Sequence, residues 1–107
     1  MIVTTTENVA GYEISEVLGL ARGNVIRAKH IGTDIVASLR NLVGGEVTEY
    51  TKLMGEAREQ ALDRMIAQAE AGGADAVIGV RLTTAMVMAG SAEILAYGTA
   101  VRLTAKT

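Results

Sequence analysis

"VTEYTKLMGEAREQALDRMIAQAEAGGADAVIGVRL", residues 47–82, decides the fold, because a helical period, a stop signal and a strand follow one another without a break. Tyr50, Met54, Ala57, Ala61 and Met65 recur at steps of three and four, the spacing of one face of an amphipathic helix. Glu49, Lys52, Glu56, Glu59, Asp63 and Glu70 form the opposite, solvated ridge, with Lys52 and Glu56 at a supportive i,i+4 spacing. Leu53, Leu62, Ile66 and Ala69 widen the apolar arc past the ~100° stripe that one packed face requires, so this helix is expected to cover two surfaces. Gly72 and Gly73 come directly after the last periodic residue, where a left-handed C-terminal cap favours glycine. A phosphate-binding loop needs the reverse order, strand, then glycines, then a helix N-terminus, and the Gly-Lys-Ser/Thr ending is missing. The glycine pair therefore reads as a helix end.

Downstream, "ADAVIGVRLTTAMVM" (74–88) places Ala76, Ile78, Val80, Leu82, Met86 and Met88 at even positions and Val77, Gly79, Arg81, Thr83, Ala85 and Val87 at odd ones, so simple alternation gives two largely apolar faces. "SAEILAYGTAVRLT" (91–104) behaves alike, with Leu95, Tyr97, Val101 and Leu103 on one side and Ala92, Ile94, Ala96 and Ala100 on the other. Gly90-Ser91 suits a hairpin turn between them. Upstream, "MIVTTT" is a short β-prone start. "SEVLGLARGNVIRAK" (15–29) is a longer strand-like run in which Gly19 and Gly23 mark a bulge, a bend or a close backbone approach, or else a hairpin break at Gly23-Asn24. "GTDIVASLRNLVGG" (32–45) predicts a short helix, capped by Thr33 or Asp34 and ended at Gly44 or Gly45.

These elements define an α+β fold of two layers, a mainly antiparallel sheet with one long and one short helix, in a single domain over 1–107. A chain of 107 residues exposes much of its surface, yet 50% of the side chains are apolar, and one helix layer covers only one face of a sheet. The second face is expected to be buried against other copies of the same chain. The formal charge of −2 is spread without blocks, which argues against nucleic acid as a partner. No apolar stretch reaches the ~20 residues of a bilayer span, no secretory leader is visible at the start, and the chain has no cysteine, so a cytoplasmic protein without membrane contact is expected.

"VLGLARGNVIRA" (17–28), "DIVASLRNLVGGEVTEYTKLMGEAREQALDRM" (34–65), "GADAVIGVRL" (73–82) and "AYGTAV" (96–101), in this order, resemble the YbjQ-like family over almost the whole chain. The resemblance implies a small subunit of a homopentameric ring. It also carries the label of a heavy-metal-binding domain. Soft and borderline metals favour thiolate and imidazole, whereas this chain has no cysteine and a single histidine, His30, so no metal site and no cofactor are expected. His30, in "AKHIGTD", reads as a loop histidine, and a ring of His30 side chains shared across subunits is the minor alternative.

Arg58 and Arg64 fall within the apolar arc of the long helix and should each snorkel or meet an anionic partner, with Glu93, Asp34, Asp75 and Glu46 as candidates. Arg22, Arg58, Arg64 and Glu93 are therefore the candidate ligand or intersubunit polar cluster, Glu93 being the one carboxylate within an otherwise apolar strand. No nucleophile stands beside a base, and the carboxylate row Glu56, Glu59, Asp63 lies on a solvated ridge, so no catalytic residues are expected and the chain is read as a non-enzyme. The expected function is binding of a small ligand or ion at subunit boundaries, with a structural or protein-interaction ring lacking any small ligand as the alternative.

Overall fold

The computed structural model describes residues 1–28 and 48–107, with Ala28 and residues 48–50 described by their backbone. Its elements are β1 (Ile2–Val3), β2 (Tyr12–Ala28), α1 (Thr48–Ala71), β3 (Ala76–Met88) and β4 (Ser91–Ala105). The strands form one mixed sheet in the order β1-β3-β4-β2, parallel between β1 and β3 and antiparallel at the two longer ladders. The short helix expected within 32–45, together with His30, lies outside the described residues.

The helix ends where its sequence stops supporting it. Gly73 takes a left-handed φ of 83°, its N–H donates to the Glu70 carbonyl at 3.0 Å, and the Ala74 N–H donates to the Ala69 carbonyl at 3.0 Å. This paired arrangement satisfies the last carbonyls of the helix and turns the chain back toward the sheet. Asp75 completes the turn, with its N–H donating to the Val101 carbonyl at 2.9 Å and its Oδ2 accepting the Leu103 N–H at 2.9 Å.

α1 lies mainly on β2 and then β4, and touches β3 little. Ala57, Ala61, Met65 and Ala69 are buried against Ala21, Val25, Val77, Val80, Ile94, Ala96 and Ala100, with Met54, Leu62 and Ile66 packed at the margin. Small side chains dominate the contact because the layers come very close. A Cβ on Gly23 would overlap the helix backbone at Ala61 and Met65. Of the sequence alternatives for Gly23, close approach is the one realised, and β2 runs unbroken through Gly23-Asn24. Gly19, at a φ of 110°, sits where the β2–β4 register slips between Val17 and Gly19, a bulge.

β3 corrects the simple alternation read from the sequence. The β3–β4 register slips between Ile78 and Arg81, with Gly79 at a φ of 60°. Val77 and Val80 consequently both join the core under the helix, while Ala76 and Ile78 join a second cluster with Val101 on the opposite face. The even positions therefore do not share one face. Gly98 makes room for this bulge, since a Cβ there would stand 2.7 Å from Val77 Cγ1 and 2.8 Å from the Ile78 carbonyl oxygen.

The expectation that the second sheet face waits wholly for another subunit is corrected in part. The chain's own N-terminal segment covers one end of it, with Val9 and Leu103 packed against Ala76, Ile78 and Val101. Residues 4–6 also extend the β1 edge, through Thr4 N–H to the Val77 carbonyl (3.0 Å), Gly79 N–H to the Thr6 carbonyl (2.8 Å) and Val80 N–H to the Thr4 carbonyl (3.0 Å). Past Val80 that cover ends, and every residue from Arg81 to Ala89 is exposed.

Candidate functional site

The open part of the sheet is the candidate site, and the strand registers decide which side chains share it. Cross-strand partners in an antiparallel sheet project from the same face. Leu20 pairs with Thr99, Arg22 with Tyr97, Asn24 with Leu95 and Ile26 with Glu93 across β2 and β4. Across β4 and β3, Tyr97 pairs with Arg81, Leu95 with Thr83 and Glu93 with Ala85. All belong to the face opposite the helix. Leu20 and Ile26 are 63% and 56% exposed, so the polar centre of this face has an uncovered apolar margin.

Two of the four residues singled out from the sequence, Arg22 and Glu93, stand on this face. Glu93 is half-buried and its Oε2 accepts a hydrogen bond from Asn24 Nδ2 at 3.2 Å. The main-chain N–H of Arg22 donates to Gln68 Oε1 of α1 at 2.7 Å. Arg64 reaches the same strand from the helix, where its Nη1 donates to the Asn24 carbonyl at 2.7 Å. Asn24 thus joins Glu93 through its side chain and Arg64 through its main chain. Arg64 and Arg58 are both exposed, and Arg64 meets a carbonyl rather than a carboxylate because Gly23 brings the helix against the edge of β2. Arg58 stays apart from the other three, its Nη2 turned back over Gly55, 3.8 Å from where a Cβ would stand.

Sequence reasoning missed Arg81 and Asn24 as members of this face. Arg81 Nη1 donates to the carbonyls of Thr5 at 3.0 Å and Val80 at 2.8 Å. Its position opposite Tyr97 follows from the Gly79 bulge, which no alternation count includes. At the far end of β2, on the helix side, Arg27 Nη2 donates to Gln60 Oε1 at 2.6 Å and its Nε is buried without a bond.

Fold and site together define a class: a two-layer α+β chain with a sheet half covered by its own N-terminal segment, whose bare half carries arginines, a tyrosine and, among the described residues, one carboxylate. The chain belongs to the YbjQ family, described as "Putative heavy-metal-binding", which it matches over residues 1–104. It is 60% identical over 103 residues to a UPF0145 protein of Methanosarcina acetivorans, covering 96% of this chain and 97% of that one. A UPF0145 protein of Archaeoglobus fulgidus is 58% identical over 103 residues, covering 96% and 95%. A crystal structure from Pediococcus pentosaceus, of a protein with unknown function in the DUF74 family, superposes with a TM-score of 0.63 over 97% of this chain and 98% of that one at 18% identity, a likeness of fold.

The donor set does not fit the heavy-metal description. The chain has no cysteine and one histidine, and among the described residues no three His, Cys, Asp or Glu side chains are grouped to hold an ion. Glu93, the one carboxylate on the open face among the described residues, is engaged by Asn24. Among the described residues that face carries neither thiolate nor imidazole, the ligands that soft metals select. Nothing in the family description or in the described site points to catalysis. Among the described residues no helix is long and apolar enough to cross a membrane.

Proposed function

We propose that the chain acts as one domain and as a subunit of a cytoplasmic homo-oligomer, a pentameric ring, whose role is non-catalytic binding of a small ligand or ion where subunits meet. The observation that carries this reading is the bare half of the sheet. Leu82, Met86, Val87 and Met88 on β3, with Val17, Leu20 and Ile26 on β2, are large apolar side chains left exposed. Leu20 and Ile26 project from the open face, whereas Leu82 and Met86, partners of Ala96 and Ala92, project from the helix side, and exposed apolar surface on both faces of the sheet marks an interaction site. The slab is also long and thin, 59 × 25 × 16 Å, with a radius of gyration of 17.6 Å where a free-standing domain of this size has about 13 Å. Five-fold closure rests on likeness to the family, and a heterologous contact that closes on itself is the symmetry it requires. The polar centre of the bare face, Arg22, Asn24, Glu93 and Arg81, would then lie at a boundary.

A ring that serves as scaffold without a small ligand is the second reading, favoured by the bonds from Asn24 that already engage Glu93 and Arg64. Light scattering after size exclusion tests the assembly. The parent is expected above the mass of a dimer, Val87→Glu is expected to shift it toward monomer or aggregate by burying an unpaired charge, and Glu56→Lys on the solvated ridge is expected to leave it intact. A compact parent monomer at micromolar concentration sinks the reading. Calorimetric titration of tag-free protein with zinc, copper or cadmium is expected to show no tight stoichiometric binding. Micromolar binding at one site per chain that survives His30→Ala would reveal an oxygen-ligated site instead.

A further inference from the structure

The chain has no cysteine, so its sulfur chemistry belongs to five methionines, and the fold treats them unequally. Met65 is fully buried, and Met54 is packed against the same core. Met86 and Met88 are 77% and 66% exposed, the most exposed large apolar side chains among the described residues. Met1 is also exposed, but it precedes β1, which pairs with the opposite end of β3 at Ala76 and Val77. Met86 and Met88 lie in the uncovered half of β3, and neither joins a core cluster. Met86 is opposite Ala92 and Met88 is opposite Ser91, with Val87 taken up by a register slip between them. Successive residues of β4 project from opposite faces of the sheet, and cross-strand partners share a face, so Met86 stands on the helix side and Met88 on the open side. A body that covers this half of the strand from either face meets a thioether.

A thioether is apolar enough to be buried and nucleophilic enough to be oxidised. The sulfur lone pair attacks the O–O bond of a hydroperoxide, an S–O bond forms as the O–O bond breaks, and with hydrogen peroxide the second oxygen leaves as water. Sulfur loses two electrons and the peroxide gains them. The product is a polar sulfoxide, whose oxygen requires a hydrogen-bond donor wherever it is buried. On an exposed strand water supplies that donor, and the fold is left as it was. Beneath a cover the adjacent side chains of Met86, Ala85 and Val87 along the strand and Ala92 across it, offer none.

We infer that Met86 and Met88 form an oxidation site that controls assembly: as thioethers they join a covered subunit boundary, and as sulfoxides they hold the chain apart. This rests on the oligomer reading above and adds its regulation. The site acts on the unassembled chain, because a covered thioether is out of a peroxide's reach. Enzymatic reduction of the sulfoxides returns the apolar side chains and with them the ability to assemble.

The test treats the full chain with hydrogen peroxide, once assembled at high concentration and once diluted until mass photometry shows single chains. Catalase ends the reaction, peptide mass spectrometry maps each methionine, and light scattering gives the oligomer mass after the samples are concentrated. In the diluted sample Met86 and Met88 are expected to oxidise at least about tenfold faster than Met65. In the assembled sample they are expected to slow by about tenfold. The chain oxidised while dilute is expected to keep its far-UV circular dichroism, to stay below the parent mass when concentrated, and to regain that mass after treatment with methionine sulfoxide reductases. The double variant Met86→Leu, Met88→Leu is expected to assemble as the parent does and to keep its mass after the same peroxide treatment, which separates these two residues from Met1 and Met54.

An oxidised chain that assembles to the parent mass overturns this inference alone and leaves the oligomer standing. So does a double variant that loses its mass under peroxide, or an oxidised chain that loses its circular dichroism, since the effect then belongs to another methionine or to the fold. An assembled parent whose Met86 and Met88 resist peroxide at every dilution also overturns it, the site being out of reach. A parent found as single chains at every concentration before peroxide removes the oligomer reading and this inference together.

Discussion

Along β3, Ala76–Val80 and Leu82–Met88 carry similarly apolar side chains, yet the first stretch is buried or half-buried and the second is exposed throughout. The difference is in what packs against them. Residues 4–6 follow the edge of β3 as far as Val80, Val9 covers Ala76 and Ile78 from one face, and Val77 and Val80 join the core under α1 on the other. Beyond the Gly79 bulge the strand leaves both covers. Burial in this chain is thus decided less by the composition of a strand than by where a second layer ends.

The largest expected effect that could break this contrast lies at the closest approach of the covered half. Gly23→Val would drive a branched side chain into the helix backbone at Ala61 and Met65. Because main chain yields less than a side chain, a loss of about 3 kcal/mol or more is expected, read by denaturant unfolding. A variant of parental stability would show that the layers are looser than described.

Paired methionines sharpen the contrast directly. Met65 is fully buried and Met86 is 77% exposed, so Met65→Ala is expected to cost about 2–5 kcal/mol. Met86→Ala is expected to stay within about 0.5 kcal/mol at low protein concentration. A cost for Met86→Ala that grows with concentration would mean that self-association buries it. Equal costs at every concentration would break the division of β3 into two halves.

A smaller effect belongs to the helix side chains that guard the edge of β2. Gln68→Ala removes the acceptor of the Arg22 N–H and is expected to cost about 1 kcal/mol, with faster hydrogen exchange at that amide. The smallest concerns Arg102 and Glu16, an exposed pair at 3.7 Å, where Arg102→Ala is expected to change stability by under about 1 kcal/mol and less still at high salt.

How much of this was legible beforehand depended on the range of the interaction. The helix Thr48–Ala71, its buried residues Ala57, Ala61 and Met65, and its glycine end could be read directly, because helix periodicity and capping are local properties of the chain. The strands and the β3–β4 hairpin were legible for the same reason. The candidate site was legible only in part. Arg22 and Glu93 share the open face, but Arg58 stays apart and Arg64 bonds a carbonyl, since the geometry between helix and sheet is set by packing rather than by residue spacing.

The sequence by itself determined the long helix, the strands, their order and the surplus of apolar surface, since each follows from side-chain type and spacing over a few neighbours. Only the tertiary structure decided that Gly79 switches the faces of β3, that Gly23 and Gly98 mark close approach, and that Arg81 stands beside Tyr97 opposite Arg22. A bulge moves every later side chain to the other face. Whether a bulge forms at one glycine and a close contact at another depends on residues far along the chain, whose positions local periodicity does not carry.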